Sequence, residues 1–490
     1  MFHYPSFFTL PEHSGDSRCR RGGADPAGGI MGYRQFWRQV MSLALQVAVQ
    51  SALVAALGMA DVLMVSHLGN EAVAAVGLSA KLNFVLILVM AAIGTGCSIM
   101  VAQYFGAGRR DKVRQTLACA LLLGTLVMLP FTLWLLGWSG PLIRLGSSDP
   151  NVVELGTLYL TLIGLTLFTT QGIIVYESAM RSIGRADWPL KYAAVAILLN
   201  IALNYWLING GLGLPALGVT GAAIATVLAR LFQFGWILWE QQQRPELRLE
   251  GATWRALRGT RLPGNFIALT WPLVANFTLW SAGSLGYHLI AGRLGTVPLA
   301  VMSLLAPIEG MYHAFFFGLV SACGIMIGQR LGRDQFAEAR WLAHRFLWIA
   351  PLGSLLLGLM LLAASPLLLG WMQMPDADTA YQTQLAMVVM CLGFWVKVFN
   401  MTAIQGILRS GGDSHFCLGM DMVAMWIIGL PLTWLAAFFW ELPFVWVYAM
   451  VLSEEVVKAL GVYWRIRKGY WLANLTEPEE RPTAVAEPAA

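Results

Sequence analysis

Six stretches of this chain are free of Asp, Glu, Lys and Arg, and each is long enough to cross a bilayer. They are Ala120 to Ile143, Leu155 to Tyr176, Tyr192 to Ala229, Leu262 to Gly292, Phe346 to Pro375 and Met422 to Trp440. A transmembrane helix needs roughly 20 consecutive apolar residues. Charged residues make up 12% of the chain and hydrophobic ones 57%, whereas a soluble domain carries about twice that charged share. The fold class expected is all-α and polytopic. The strands of an outer-membrane barrel would alternate apolar and polar residues, and these runs do not.

Twelve spans are expected, from 38–66 through to 444–466. Lys and Arg gather in alternate connections. Arg109, Arg110, Lys112 and Arg114 follow the second span, and Arg181 and Arg185 the fourth. Arg244, Arg248, Arg255, Arg258 and Arg261 follow the sixth, and Arg330, Arg333 and Arg340 the eighth. The opposite loops hold only Arg144 and Arg293. Positive loops stay on the cytoplasmic side, so both termini are expected there. Pro272, Pro351 and Pro431 are expected kinks, because each lacks a backbone donor. The six cysteines show no metal spacing and read as small buried hydrophobes.

The chain repeats itself. Aligning Gln103 with Gln329 pairs Cys97 with Cys323, Met100 with Met326 and Gly106 with Gly332; the same offset pairs Leu68-Gly69 with Leu294-Gly295. A shift of two more aligns Met180-Arg181-Ser182 with Leu408-Arg409-Ser410. Two six-span halves that each return to the same side repeat in parallel, about an axis along the membrane normal. The organisation expected is a disordered or mis-started extension at 1–34, an N-lobe at 35–240, a cytoplasmic linker at 241–262, a C-lobe at 263–470 and a disordered tail at 471–490. Met31 is an alternative start.

One carboxylate, Asp61, sits where charge is expensive. Met41 to Ala60 before it and Val62 to Asn70 after it carry none. An intramembrane acid is a functional-site hypothesis by default. Lys81 on the second span either pairs with Asp61 or snorkels to the surface. Glu309 stands near Met311, His313 and Phe315. An acid among aromatic and thioether side chains suits an organic cation, and could equally be a packing acid. Glu309, Lys81, Met311 and Phe315 are the candidate substrate contacts. Lys397 is expected to neutralise Asp421, and Glu454 to pair with Lys458 at i, i+4.

The segments DVLMVSHLG, AQYFGAG, MRSIGRADWP, LLNIALNYWLI and GVTGAAIAT, with IGQRLG and ILRSGGD in the second half, resemble the multidrug and toxic compound extrusion (MATE) family. The amino-terminal lobe resembles the bacterial branch typified by NorM. The resemblance covers roughly residues 35–470. It implies a secondary antiporter, exporting organic and often cationic drugs against inward Na+ or H+. It places the coupling acid on Asp61, paired amides on Asn200 and Asn204, and a hydroxyl on Thr226. If the ion is Na+, Asp61 and Asn200 are its expected ligands. The acids that the branch carries on spans seven and ten fall on Trp280 and near Val398, so coupling is expected to rest on the Asp61 cluster.

No P-loop, HExxH or GxSxG is present, so an enzyme or a nucleotide-driven pump is not expected. Neither a cofactor nor a nucleic-acid partner is expected. The expected partners are small organic drugs, Na+ or H+ and membrane lipids, around a chain that acts as a monomer in the inner or plasma membrane. The alternative is a flippase of a lipid-linked precursor, which would carry a more basic cleft.

Overall fold

The computed structural model describes residues 32–476, apart from 212, 214, 258 and 372–375. Every described element is helical. The first half holds α1 (Tyr33–Val65), α2 (Asn70–Gly106), α3 (Arg110–Arg144), α4 (Pro150–Gly164), α5 (Leu167–Ser182), α6 (Asp187–Asn209) and α7 (Gly218–Gln241). A short α8 (Gly251–Leu257) lies in the linker. The second half holds α9 (Leu262–Leu294), α10 (Thr296–Gly332), α11 (Phe336–Ala363), α12 (Ser365–Trp371), α13 (Ala377–Met401), α14 (Ser414–Asp421), α15 (Leu430–Phe438), α16 (Phe444–Met450) and α17 (Leu452–Lys468).

Among the described residues, ten segments are long and apolar enough to cross a membrane, and α4 with α5 makes one more span bent by 49°. The twelfth passage, α16–α17, carries Glu454, Glu455 and Lys458 mid-way. Together they form the twelve-helix, two-lobe architecture. The extension at 1–31 lies outside the described residues, and α1 already begins at Tyr33.

The repeat is built into the backbone. Helices α2 and α10 each have 37 residues, about 55 Å at 1.5 Å per residue. Both start after a glycine with positive φ, Gly69 at 109° and Gly295 at 131°, where a Cβ would be strained. Both end in a glycine at the lobe junction. A Cβ on Gly106 would lie 2.1 Å from the Gln329 carbonyl oxygen, and one on Gly332 would lie 1.9 Å from the Gln103 carbonyl oxygen. The contact is reciprocal, as a twofold relation requires. Ala102 and Gly328, equivalent by the same offset, meet each other: a Cβ on Gly328 would lie 3.0 Å from the Ala102 Cβ. They therefore sit near the axis.

Hydrogen bonds repeat the exchange. Gln103 Nε2 donates to the Ser410 carbonyl at 2.8 Å, and Gln329 Nε2 donates to the Ser182 carbonyl at 2.8 Å. The first helix of each lobe also crosses over. Phe36, Val40, Leu43 and Val47 of α1 join the core of α10 and α11, while Phe266, Leu269 and Leu273 of α9 join the core of α2, α3 and α5. The two lobes thus meet at the end that carries the termini and the basic loops.

The breaks fall elsewhere than the prolines suggest. Helices α9 and α11 run through Pro272 and Pro351. The carbonyls a proline frees in a buried helix can be satisfied by neighbours. Pro431 stands in the first turn of α15, after a π-helical segment Met422–Gly429. A second π-helical segment, Thr402–Leu408, continues α13. Helix α3 breaks at Trp138, between Pro130 and Pro141. Nor does the chain leave the bundle at residue 470. Trp471 is buried, a Cβ on Gly411 would meet its carbonyl, and Leu475 N donates to Gln103 Oε1 at 2.6 Å. Residues 477–490 lie outside the described residues.

Candidate functional site

Helices α1, α6 and α7 bring four polar side chains into one cluster in the N-lobe, with Asn200 and Asn204 buried and Asp61 and Thr226 half-buried. Asn200 and Asn204 stand one turn apart on α6, so both face the same way. Asn204 Nδ2 donates to Asp61 Oδ1 at 2.7 Å and to Asn200 Oδ1 at 3.0 Å. Asn200 Nδ2 donates to Thr226 Oγ1 at 3.4 Å, and Thr226 donates back to the Ala222 carbonyl. Asn200 and Asn204 are 2% and 1% exposed. Asn204 Oδ1 is buried and accepts no hydrogen bond. An orphaned carbonyl oxygen beside a carboxylate is a costly arrangement unless a donor or cation uses it. The set holds one carboxylate, two amides and a hydroxyl, all oxygen ligands of the kind a hard cation takes.

Lys81 is not brought to Asp61. Its side chain is exposed, and the partner of the carboxylate is Asn204. A basic group, Arg230, stands one turn beyond Thr226 on α7, within electrostatic range of Asp61.

A second constellation lines a cavity of about 560 Å³ between the lobes. Ser51, Phe84 and Leu88 form its N-lobe wall, and its charged wall belongs to the C-lobe. Lys397 Nζ donates to Glu309 Oε1 there. Lys397 therefore pairs with Glu309 rather than with Asp421. Asp421 instead lies 3.3 Å from Lys458 Nζ, which also reaches Glu454 at 3.4 Å and Glu455 at 3.9 Å. Asn276 Nδ2 donates to Asp421 Oδ2 at 2.6 Å, and Arg409 donates to Asn276 Oδ1 at 2.7 Å. Tyr287 donates to Glu454 at 2.6 Å, and Asn400 to Glu455 at 2.7 Å.

Glu309 and His313 line this cavity together with Phe317. Met311 and Phe315 do not: they are 71% and 56% exposed on the outer face of α10. Spacing explains this, since Glu309, His313 and Phe317 share a helix face at i, i+4, i+8 while residues 311 and 315 point away. Trp280 lines the cavity, and Val398 is buried beside it. The C-lobe thus lacks acids at the two expected positions, and the cavity is lined by four others, Glu309, Asp421, Glu454 and Glu455, each facing a resident lysine.

One further acid escaped the sequence reading. Glu177 on α5 is buried, and accepts from Gln50 Nε2 at 2.8 Å and Gln233 Nε2 at 3.2 Å. It lies at the inner end of the fourth expected span, 152–178, where a charged residue is ordinary. The pattern Glu177–Arg181, an i, i+4 pair, was the available signal.

The MatE family model matches residues 47–206 and 272–435. This chain belongs to the MatE family. Members are membrane transporters rather than enzymes, and the chain is a multi-pass membrane protein. It is 28% identical over 421 residues to a "Probable multidrug resistance protein NorM" of Agrobacterium fabrum, covering 81% of this chain and 86% of that one. It is 23% identical over 444 residues to "Uncharacterized transporter YisQ" of Bacillus subtilis, covering 88% and 94%. The fold matches that of a MOP superfamily transporter from Pyrococcus furiosus with a TM-score of 0.80 at 19% identity, covering 89% and 96%. The two matched segments of the MatE model fall one in each lobe, as the internal repeat requires. The five described cysteines are buried and free, as small hydrophobes would be.

Proposed function

We propose that this MatE chain is a secondary antiporter that exports organic, mainly cationic compounds against inward movement of Na+ or H+. The observation that carries the reading is the Asp61–Asn204–Asn200–Thr226 cluster with its unpartnered Asn204 oxygen. Asp61 is the coupling acid, and Asn200, Asn204 and Thr226 complete the site for Na+ or hold the carboxylate ready for a proton. The inter-lobe cavity takes the drug. Glu309 attracts its cationic group, with Phe317 and Phe394 as apolar walls.

The reciprocal contacts at Gly106 and Gly332 support an outward-facing state with the inner ends joined. The ion enters at Asp61, the drug leaves, and the lobes exchange access. A ligand drives this step only through its different affinity for the two states. The mixed charge of the cavity wall favours organic compounds over a polyanionic lipid-linked precursor. The basic loops support placing both termini in the cytoplasm of a cell whose inner or plasma membrane holds the protein.

The test is ethidium efflux from cells and everted vesicles, with sodium and pH varied separately, for wild type and Asp61→Asn. The wild type is expected to pump with a dependence on one ion, and Asp61→Asn to lose it. Equal pumping by both would remove Asp61 from the coupling role.

A further inference from the structure

Two acids of the N-lobe, the buried Glu177 and the half-buried Asp61, lie within electrostatic range of one arginine, Arg230. Helix α7 presents Thr226, Arg230 and Gln233 along one stripe, at i, i+4 and i+7. Thr226 belongs to the Asp61 cluster. Arg230 Nη1 donates to Gln233 Oε1 at 3.1 Å, and Gln233 Nε2 donates to Glu177 Oε1 at 3.2 Å. Arg230 lies within electrostatic range of both Glu177 and Asp61. Helix α1 presents Asp61 and Gln50 eleven residues apart, three turns along one face, and Gln50 Nε2 donates to the other oxygen of Glu177 at 2.8 Å. The stripe spans from the outer half of the lobe to its inner half.

The inner end of this network touches the lobe junction. Arg181 lies 3.6 Å from Glu177 and donates to Gln50 and to Ser178. The next residue, Ser182, shares a hydrogen bond with Ser98 of α2 at 2.7 Å, and its carbonyl receives Gln329 of the other lobe. The charged groups facing the network are Asp61 from α1, Glu177 and Arg181 from α5, and Arg230 from α7. Helix α6 contributes the neutral Asn200 and Asn204, and α4 the neutral Tyr159. Two negative charges therefore balance two positive ones. A cation or proton at Asp61 leaves one arginine uncompensated in a water-poor interior, where an unpaired charge is unfavourable.

We propose that Arg230 and Glu177 carry the occupancy of Asp61 to the lobe junction. When Asp61 is filled, Arg230 turns to Glu177, the Glu177–Arg181 pair loosens, and the Ser182–Gln329 contact is released so that the lobes can part. Arg230 and Glu177 are positioning residues, since neither meets the drug. The inference rests on the coupling role of Asp61 given above. It supplies the bistable element that such a transmission requires: one guanidinium within electrostatic range of two carboxylates and bonded to one of them through Gln233.

The experiment is an inter-lobe distance measurement by pulsed electron resonance. Spin labels are attached at Asp111→Cys and Ala337→Cys, two exposed positions related by the repeat at the inner end. Cys19 is replaced by serine, and the other five cysteines are buried. The full chain in nanodiscs is titrated with NaCl at fixed pH, and with acid at fixed sodium. The wild type is expected to shift its distance distribution with one ion, and Asp61→Asn to show no shift. Glu177→Gln and Arg230→Gln are expected to move the midpoint by about tenfold or more, or to abolish the shift. Arg230→Lys, which keeps the charge, is expected to stay within about threefold of wild type.

Wild-type titration of both Glu177→Gln and Arg230→Gln, with Asp61→Asn unresponsive, overturns the inference and leaves the coupling reading standing. Equal loss in Arg230→Lys and Arg230→Gln also overturns it, because charge would then not be the agent. A normal response in Asp61→Asn overturns the coupling reading itself. Glu177→Gln is isosteric, so the comparison survives should Arg230→Gln fail to fold.

Discussion

At the scale of single residues, the C-lobe charge cluster is held by Lys458. Its ammonium is the one cation within 4 Å of Asp421, Glu454 and Glu455 among the described residues. Its side chain is 5% exposed. Removing one partner of a buried ion pair is strongly destabilising, by about 3–5 kcal/mol, because the remaining charges stay buried. Lys458→Met is therefore expected to lower the melting temperature of the detergent-solubilised protein by several degrees, and Lys458→Arg much less. An unchanged melt for Lys458→Met would show the three acids to be otherwise compensated. In the N-lobe, Asn204→Leu removes the donor to Asp61. It is expected to weaken ion-dependent transport while leaving ethidium binding intact, read by fluorescence polarisation.

What the sequence disclosed at this scale follows from where the signal lies. Asp61 stands alone in an apolar run, so its exposure to notice is local. Asn200, Asn204 and Thr226 were placed by family resemblance, and the structure brings all four together. Partner choice was not legible. Lys397 has two acids at plausible depth, Glu309 and Asp421, and only the path of α10 against α13 selects Glu309. Glu177 was hidden because a charge at the inner end of an expected span is ordinary at a membrane surface.

At the scale of elements, the crossing of α2 and α10 depends on two glycines. Each Cβ added there would overlap backbone of the other lobe. Overpacking in a close-packed contact costs about 1–3 kcal/mol. Gly106→Ala and Gly332→Ala are each expected to weaken the junction and to expose a cysteine placed at Ala102, now buried, to alkylating reagent from the inner side. Gly235→Ala is the control, since a Cβ there meets nothing within 4 Å. It is expected to be neutral or slightly stabilising, by up to about 1 kcal/mol through helix propensity. Equal labelling in all three variants would show that the glycines do not set the contact.

The helix pattern was readable because composition blocks, basic loops and the repeat are properties of the chain itself. The breaks were not. Prolines mark where a donor is missing, yet the π-helical segments at Thr402–Leu408 and Met422–Gly429 arise from packing. Such segments gather at functional sites. The first directly precedes Arg409 and the second directly follows Asp421, both on the cavity wall.

At the scale of the whole molecule, the lobes are joined by reciprocal bonds and by the segment after α17. Gln103 of the N-lobe donates to Ser410 of the C-lobe and to Ala473, and receives Leu475 N. Asn474 reaches Asp334 at 2.8 Å. Ending the chain at residue 470 removes the bonds made by Ala473, Asn474 and Leu475, and the buried Trp471. It is expected to shift the population towards the state with parted inner ends, read as faster alkylation of the same cysteine at Ala102. Unchanged alkylation would make the segment a bystander.

Drug in the inter-lobe cavity and ion at Asp61 are expected to move in opposite directions across the membrane. The most direct measurement is made in proteoliposomes of the purified full chain, where an imposed ethidium gradient is the only driving force. Ion movement is followed with radiolabelled Na+ and, separately, with an entrapped pH dye. One of these ions is expected to move against the ethidium flux in the wild type, and no such movement is expected in Asp61→Asn. Ethidium movement without ion counterflow, or the same counterflow in Asp61→Asn, would contradict it.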